Sequence, residues 1–123
     1  MKILVADDSS FIRTVIVKKL GNEFPGAEII SCSNGKEAYE KIVSIKPDIV
    51  LTDLLMPEMT GEELLKRLKS EGHNVNTIVV SADVQSRTRE EIKALGVVEF
   101  INKPITPDKL EIIINFIRGI ENA

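Results

Sequence analysis

The chain has 123 residues, enough for about one domain that buries roughly two-thirds of its unfolded surface. Its 43% hydrophobic and 28% charged residues are those of an ordinary globular protein, and no apolar stretch approaches the roughly 18 residues that a membrane span needs. A net charge of -3 excludes a basic nucleic-acid footprint, the lone Cys32 excludes an internal disulfide, and the aspartates that cut off Ile3-Leu4-Val5 exclude a signal peptide, so a cytoplasmic protein without nucleic-acid or membrane partners is expected.

Lys2-Ile3-Leu4-Val5-Ala6 reads as a first strand that runs into Asp7-Asp8. Residues 10–22 then carry helical spacing at Ile12, Val15, Ile16 and Leu20, with Ser9 or Ser10 as the cap and Gly21-Asn22 as the stop. Glu28 to Ser31 is a short second strand, and Cys32 at its end is read as a small structural residue rather than a reactive thiol. Asn34-Gly35 opens a helix through Ala38, Tyr39, Ile42 and Val43 that stops before Pro47, because the residue before a proline is pushed out of the α region. Asp48-Ile49-Val50-Leu51-Thr52 is a third strand leading to Asp53, and after a turn at Met56-Pro57 a helix from about Gly61 shows Leu64, Leu65 and Leu68 on one face. Thr77-Ile78-Val79-Val80 leads to Ser81, residues 86–95 make a weaker helix ended by Gly96, and Val97 to Asn102 leads to Lys103-Pro104. Thr106-Pro107-Asp108 caps the last helix, Pro107 sitting where a missing N–H costs nothing.

Strand alternating with helix over short connections implies an α/β fold, a doubly wound five-stranded parallel sheet with helices on both faces. The common order for five such units is 2-1-3-4-5, which reverses between the first and third strands. Ligands bind at such a reversal, at the carboxyl ends of the strands. There the chain places the carboxylates of Asp7, Asp8 and Asp53, the hydroxyl of Ser81 and the ammonium of Lys103. That group of side chains suits a hard divalent cation and a phosphoryl group. His73, in a Gly-Asn loop with no metal-spaced partner, is read as a surface residue, and Lys18-Lys19 as a solvated helix face.

Asp7-Asp8 after the first strand, Asp53 within Leu51-Thr52-Asp53-Leu54-Leu55-Met56-Pro57-Glu58-Met59-Thr60-Gly61, Ser81-Ala82 and Lys103-Pro104 together resemble the signature of response-regulator receiver domains. The resemblance spans nearly the whole chain and is closest to single-domain, CheY-like members, so residues 1–123 are expected to form one receiver with no output domain. It implies that Asp53 is the phosphoacceptor of a two-component system, taking a phosphoryl group from a histidine kinase or phosphotransfer protein and becoming an aspartyl phosphate. It also implies Mg2+ as cofactor, held by Asp8, Asp53 and the backbone carbonyl of Leu55, with Asp7 acting through bound water. Lys103 would pair with one phosphoryl oxygen, and Ser81 would bond another only once the phosphoryl group is present. Phe100 stands where receivers carry a switching aromatic ring.

The implied protein is a signalling switch rather than an enzyme: it catalyses its own phosphorylation and dephosphorylation. A chemotaxis-like role and an intermediate place in a phosphorelay are both open. Leu55 is apolar where some members carry an amide or acid, which leaves Asp83 as the residue able to orient a hydrolytic water. Along the last helix, Leu110, Ile113, Ile114, Ile117 and Ile120 face the sheet, while Ile112 and Phe116 lie on a flank that either packs on the neighbouring helix or docks a partner. The docking surface so implied runs along the fourth helix, fifth strand and fifth helix and would take a downstream target or a second copy. A flavodoxin-like cofactor binder would need a phosphate-cradling loop where the chain has two carboxylates. A Mg2+-dependent phosphatase with an aspartate nucleophile would need a second acid near Asp53, where the chain has Leu55.

Overall fold

Alternation along each strand divides the core into layers on the two faces of one sheet. The computed structural model describes residues 1–82 and 86–123, with residues 86–88 described through their backbone. The elements are β1 (Lys2–Ala6), α1 (Ser10–Glu23), β2 (Glu28–Cys32), α2 (Gly35–Ile45), β3 (Ile49–Thr52), α3 (Gly61–Ser70), β4 (Asn76–Ser81), α4 (Ser86–Lys93), β5 (Val97–Asn102) and α5 (Pro107–Glu121). The strands pair in parallel in the order β2-β1-β3-β4-β5, so the expected doubly wound fold is the one observed. No described helix is long and apolar enough to cross a membrane.

Ile3 and Val5 of β1, Ile49 and Leu51 of β3, and Ile78 and Val80 of β4 point to one face, where Ile16 and Leu20 of α1 and Ile113, Ile114 and Ile117 of α5 cover them. The residues between them, Leu4, Ala6 and Val50, point to the other face against Ala38 and Ile42 of α2 and Leu64 and Leu68 of α3. A third cluster joins Leu65 of α3, Val79 of β4, Ile92 of α4 and Val97 of β5. Strands covered on both faces have no polar side to show, which is why they read as continuous apolar runs. Truncating a fully buried Leu or Ile among these to Ala costs roughly 2–5 kcal/mol.

Local signals set most of the helix ends. Ser9 caps α1 by accepting from the Ile12 N–H at 3.3 Å. Thr60 and Glu63 form a reciprocal capping box at α3, and Thr106 caps α5 with Pro107 in its first turn. Lys46, in the left-handed region at φ 55°, ends α2 just before Pro47. α1 ends at Glu23, one residue past the expected Gly21-Asn22 stop, and delivers Phe24, 3% exposed, into the first core layer, a burial worth roughly 1.5–3 kcal/mol. On α5 the expected flank divides, since Phe116 packs partly against the first core layer while Ile112 stays 41% exposed.

Two close fits position the carboxyl edge of the sheet. Between β4 and β5 the register slips by one residue, Thr77 pairing with Val97 but Ile78 with Glu99, which leaves Val98 as the extra residue of a bulge. The slip brings Asn102 level with Ser81 and lets the Lys103 N–H donate to the Ser81 carbonyl at 2.8 Å. At the start of α3, Gly61 lies against the strand end: a Cβ there would stand 2.2 Å from the Asp53 carbonyl oxygen and 2.8 Å from the Leu54 Cα. In α5, by contrast, a Cβ on Gly119 would meet nothing within 4 Å. Gly61→Ala is therefore expected to cost at least about 2 kcal/mol, while Gly119→Ala raises stability by up to about 1 kcal/mol. Urea unfolding measures both, and a Gly61→Ala midpoint equal to that of the parent chain would contradict the close approach.

Candidate functional site

Asp7 leaves β1 with its backbone and side chain both tied down. Its N–H donates to the Cys32 carbonyl at 3.1 Å, and its Oδ1 accepts from the Ser9 N–H at 2.9 Å. Its carbonyl accepts from Arg13 Nη1 at 2.7 Å. Asp7 is buried whereas Asp8, one residue on, is exposed. Asp53 follows β3, which pairs with β1, so the Asp53 N–H donates to the Ala6 carbonyl at 3.0 Å and the two strand ends stand side by side. Buried at 6% exposure, Asp53 has both oxygens engaged. Oδ1 accepts from the Leu54 N–H at 2.6 Å, the Leu55 N–H at 3.2 Å and the Ser81 hydroxyl at 2.8 Å. Oδ2 accepts from Lys103 Nζ at 2.6 Å, and the same ammonium lies 2.8 Å from Asp7 Oδ2.

Lys103 thus bridges two buried carboxylates. Burial pulls its pKa down, but the hydrogen bonds and charges of Asp53 and Asp7 outweigh that and hold it above the ordinary lysine value. It stays an ammonium wherever the site works. Breaking such a pair by removing one partner costs roughly 3–5 kcal/mol in a buried setting, because the remaining charge is left uncompensated. Asp7, Asp8 and Asp53 each offer one carboxylate oxygen within 4.8 Å of the others. Ligands across a Mg2+ ion stand about 4.2 Å apart, twice the 2.0–2.1 Å bond, and the ion takes hard oxygen donors. Neighbouring ligands on such an octahedral ion stand closer, about 2.9 Å, so the hard-oxygen donor set fits the ion and the three carboxylates would draw together to hold it. Three carboxylates against one ammonium leave an excess of two negative charges, which a divalent cation offsets.

The structure gathers Asp7, Asp8, Asp53, Ser81 and Lys103 at the carboxyl edge of the sheet. In the unmodified protein the Ser81 hydroxyl, expected to bond a phosphoryl oxygen once one is present, donates to Asp53 Oδ1. A fully buried hydroxyl cannot be left without a partner, and the carboxylate is the acceptor within reach. Leu55 contributes its N–H to Asp53, and its side chain is 73% exposed. Phe100 is partly buried against the third cluster, with the Arg89 guanidinium 5.1 Å from its ring centre. Asp83 lies outside the described residues. His73 sits 3.8 Å from Glu71, beside Tyr39 and Arg67, far from the acidic cluster in the fold's other edge network. Sequence reasoning does not single out Arg13 or Gly61. The signal for Arg13 is a lone cation five residues past Asp8, and for Gly61 a glycine where α3 would otherwise begin with a side chain against β3.

Comparison with known proteins agrees with this fold. The family model for the response regulator receiver domain matches residues 3–115. The chemotaxis protein CheY of Thermotoga maritima is 39% identical over 113 residues, covering 89% of this chain and 90% of that protein. A protein-glutamate methylesterase/protein-glutamine glutaminase of Geobacillus kaustophilus is 39% identical over 115 residues, covering 91% of this chain but only 32% of the relative, so the chain spans about a third of the length of that larger protein. The crystal structure of the response regulator domain of Thermotoga maritima CheB superposes with a TM-score of 0.76 at 30% identity, over 100% of this chain and 95% of that one. The chain belongs to the response regulator receiver domain family.

Cys32, whose carbonyl anchors Asp7, is a packing residue. Burial, with the Glu37 carboxylate nearby, pushes its thiol up to about 12. A thiol of that kind has almost no thiolate at neutral pH and no path to a reagent. Iodoacetamide at pH 8 is expected to leave the folded protein unlabelled and to label it fully in urea, with intact mass as the readout. Rapid labelling of the folded chain would show that this strand end opens.

Proposed function

We propose that this receiver is a phosphorylation-dependent switch that takes its phosphoryl group on Asp53. The observation that carries the reading is the environment of that side chain: a buried carboxylate at a sheet reversal, flanked by Asp7 and Asp8, with Ser81 on one oxygen and Lys103 on the other. In the transfer step one Asp53 oxygen attacks phosphorus of a phosphohistidine, the new P–O bond forms as the P–N bond breaks, and the electron pair leaves on the imidazole nitrogen.

Each residue has a task that its position supports. Lys103 moves from an Asp53 oxygen to a phosphoryl oxygen, holding positive charge where negative charge accumulates. Ser81 exchanges its carboxylate acceptor for a second phosphoryl oxygen. Asp7, Asp8, Asp53 and the Leu55 carbonyl are the groups that would hold Mg2+, Asp7 through water. When bound, the ion supplies the positive charge that lets three carboxylates tolerate a phosphoryl group. Because Ser81 and Lys103 bond different atoms in the two states, the modified and unmodified forms differ in free energy at β4 and β5, which is what a two-state switch requires.

The partners proposed are a histidine kinase or phosphotransfer protein as donor and a target docking along α4, β5 and α5. The exposed Ile112 and Val98 on α5 and β5 support that surface. Likeness to CheY and to the receiver of a methylesterase favours a chemotaxis-like pathway.

Asp53→Asn is expected to abolish labelling by acetyl phosphate in Mg2+, since an amide is a far weaker nucleophile than a carboxylate. Intact mass reads the outcome, and full labelling of that variant would sink the assignment of Asp53. Mg2+ in turn stabilises the folded state by mass action, about 2.7 kcal/mol at a hundred times its Kd. Melting temperature should therefore rise with millimolar Mg2+. Asp8→Ala should shrink that rise while stabilising the metal-free protein by relieving like-charge repulsion. A melting curve indifferent to Mg2+ in the parent chain would count against a common metal site.

A further inference from the structure

Lys109 stands in the first turn of α5, where a cation opposes the helix dipole. Nothing local to the helix accounts for it there. Its side chain instead turns back over the helix start, and Nζ donates to the Asn102 carbonyl at 2.6 Å and to the Pro104 carbonyl at 3.2 Å. Those carbonyls belong to the residues immediately before and after Lys103. On its other flank, the Lys103 backbone N–H donates to the Ser81 carbonyl at 2.8 Å.

This segment has few other supports from the sheet. β5 is an edge strand, so one side of its backbone has no strand partner. Pro104 has no N–H to give. Lys103 must nevertheless place a four-carbon stem so that one ammonium meets Asp53 Oδ2 at 2.6 Å and Asp7 Oδ2 at 2.8 Å. A flexible stem keeps both contacts only while its backbone stays still, and an error of an ångström at the Cα is costly to transfer chemistry.

We propose that Lys109 is a positioning residue for Lys103: its ammonium clamps the carbonyls of the two residues on either side of Lys103 and so fixes the point from which Lys103 reaches the phosphoryl site. The inference rests on the reading of Lys103 as the cation that receives the phosphoryl group. Lys109 touches neither Asp53 nor the carboxylates proposed to hold Mg2+, so its loss separates phosphoryl chemistry from metal binding.

The test is a double-mutant cycle of Lys109→Met and Lys103→Met, with Lys109→Arg as the conservative variant. Acetyl phosphate labelling rate, beryllofluoride affinity and Mg2+ affinity by titration calorimetry are read for each. Lys109→Met should slow labelling and weaken beryllofluoride binding by roughly 5- to 10-fold while Mg2+ affinity stays within about twofold. Lys109→Arg, which keeps the cation and its donors, should recover most of the loss. In the Lys103→Met background, Lys109→Met should change either phosphoryl readout by less than about twofold, because it acts through Lys103. Parent-like labelling by Lys109→Met overturns the proposal, and so does an equal loss with and without Lys103. Parent-like labelling by Lys103→Met alone would instead remove the reading of Lys103 on which the proposal stands.

Discussion

The ammonium of Lys103, held between Asp53 at 2.6 Å and Asp7 at 2.8 Å, is the interaction on which the rest of the structure depends. Two like charges at the ends of neighbouring strands would otherwise push β1 and β3 apart at the edge where they must stay paired. Coulomb energy between unit charges at such distances is several kcal/mol even at a screened interior dielectric, comparable to the whole net stability of a small domain. One lysine from the far edge of the sheet neutralises part of that repulsion, and thereby couples β5 to β1 across two intervening strands.

The geometry around that lysine explains several features that look unrelated. The bulge at Val98 shifts the register by one residue, so that Asn102 stands opposite Ser81 and Lys103 follows directly, its N–H on the Ser81 carbonyl. Gly61 lets α3 start in contact with the Asp53 carbonyl, so the strand end cannot relax outward. Arg13 holds the Asp7 carbonyl from α1, and the Lys109 ammonium holds the carbonyls on either side of Lys103. Each contact spends a polar or small residue on the backbone around the site instead of on the core.

The unmodified site is already saturated with hydrogen bonds, and this shapes how a switch can work. Asp53 Oδ1 takes three donors and Oδ2 takes the ammonium. Under the proposed function, a phosphoryl group arrives at a carboxylate that must give up donors, so modification redistributes bonds rather than creating them in empty space. Ser81 and Phe100 lie on paired strands, Val79 opposite Phe100 and Ser81 opposite Asn102, so a shift at the hydroxyl is felt within one strand pair of the ring. The Arg89 guanidinium over Phe100 then lies on the surface side of that ring, toward the proposed docking face.

The apolar runs and the residues that end them were enough to specify five strands, their helices and the site edge, because a strand buried on both faces has no choice of side chains and a strand end has no room for an idle charge. Asp7, Asp8, Asp53, Ser81 and Lys103 were legible for that reason, as were helix starts at Ser9 or Ser10, Asn34 and Thr106. Other features were decided only by long-range packing. Phe116 and Ile112 share one flank by periodicity, yet only the neighbouring core determines that the first is covered and the second is not. The bulge at Val98, the reach of Arg13 and the return of Lys109 onto the Lys103 loop leave no periodic trace, because register and side-chain direction depend on what stands opposite, and that is set by residues far away along the chain.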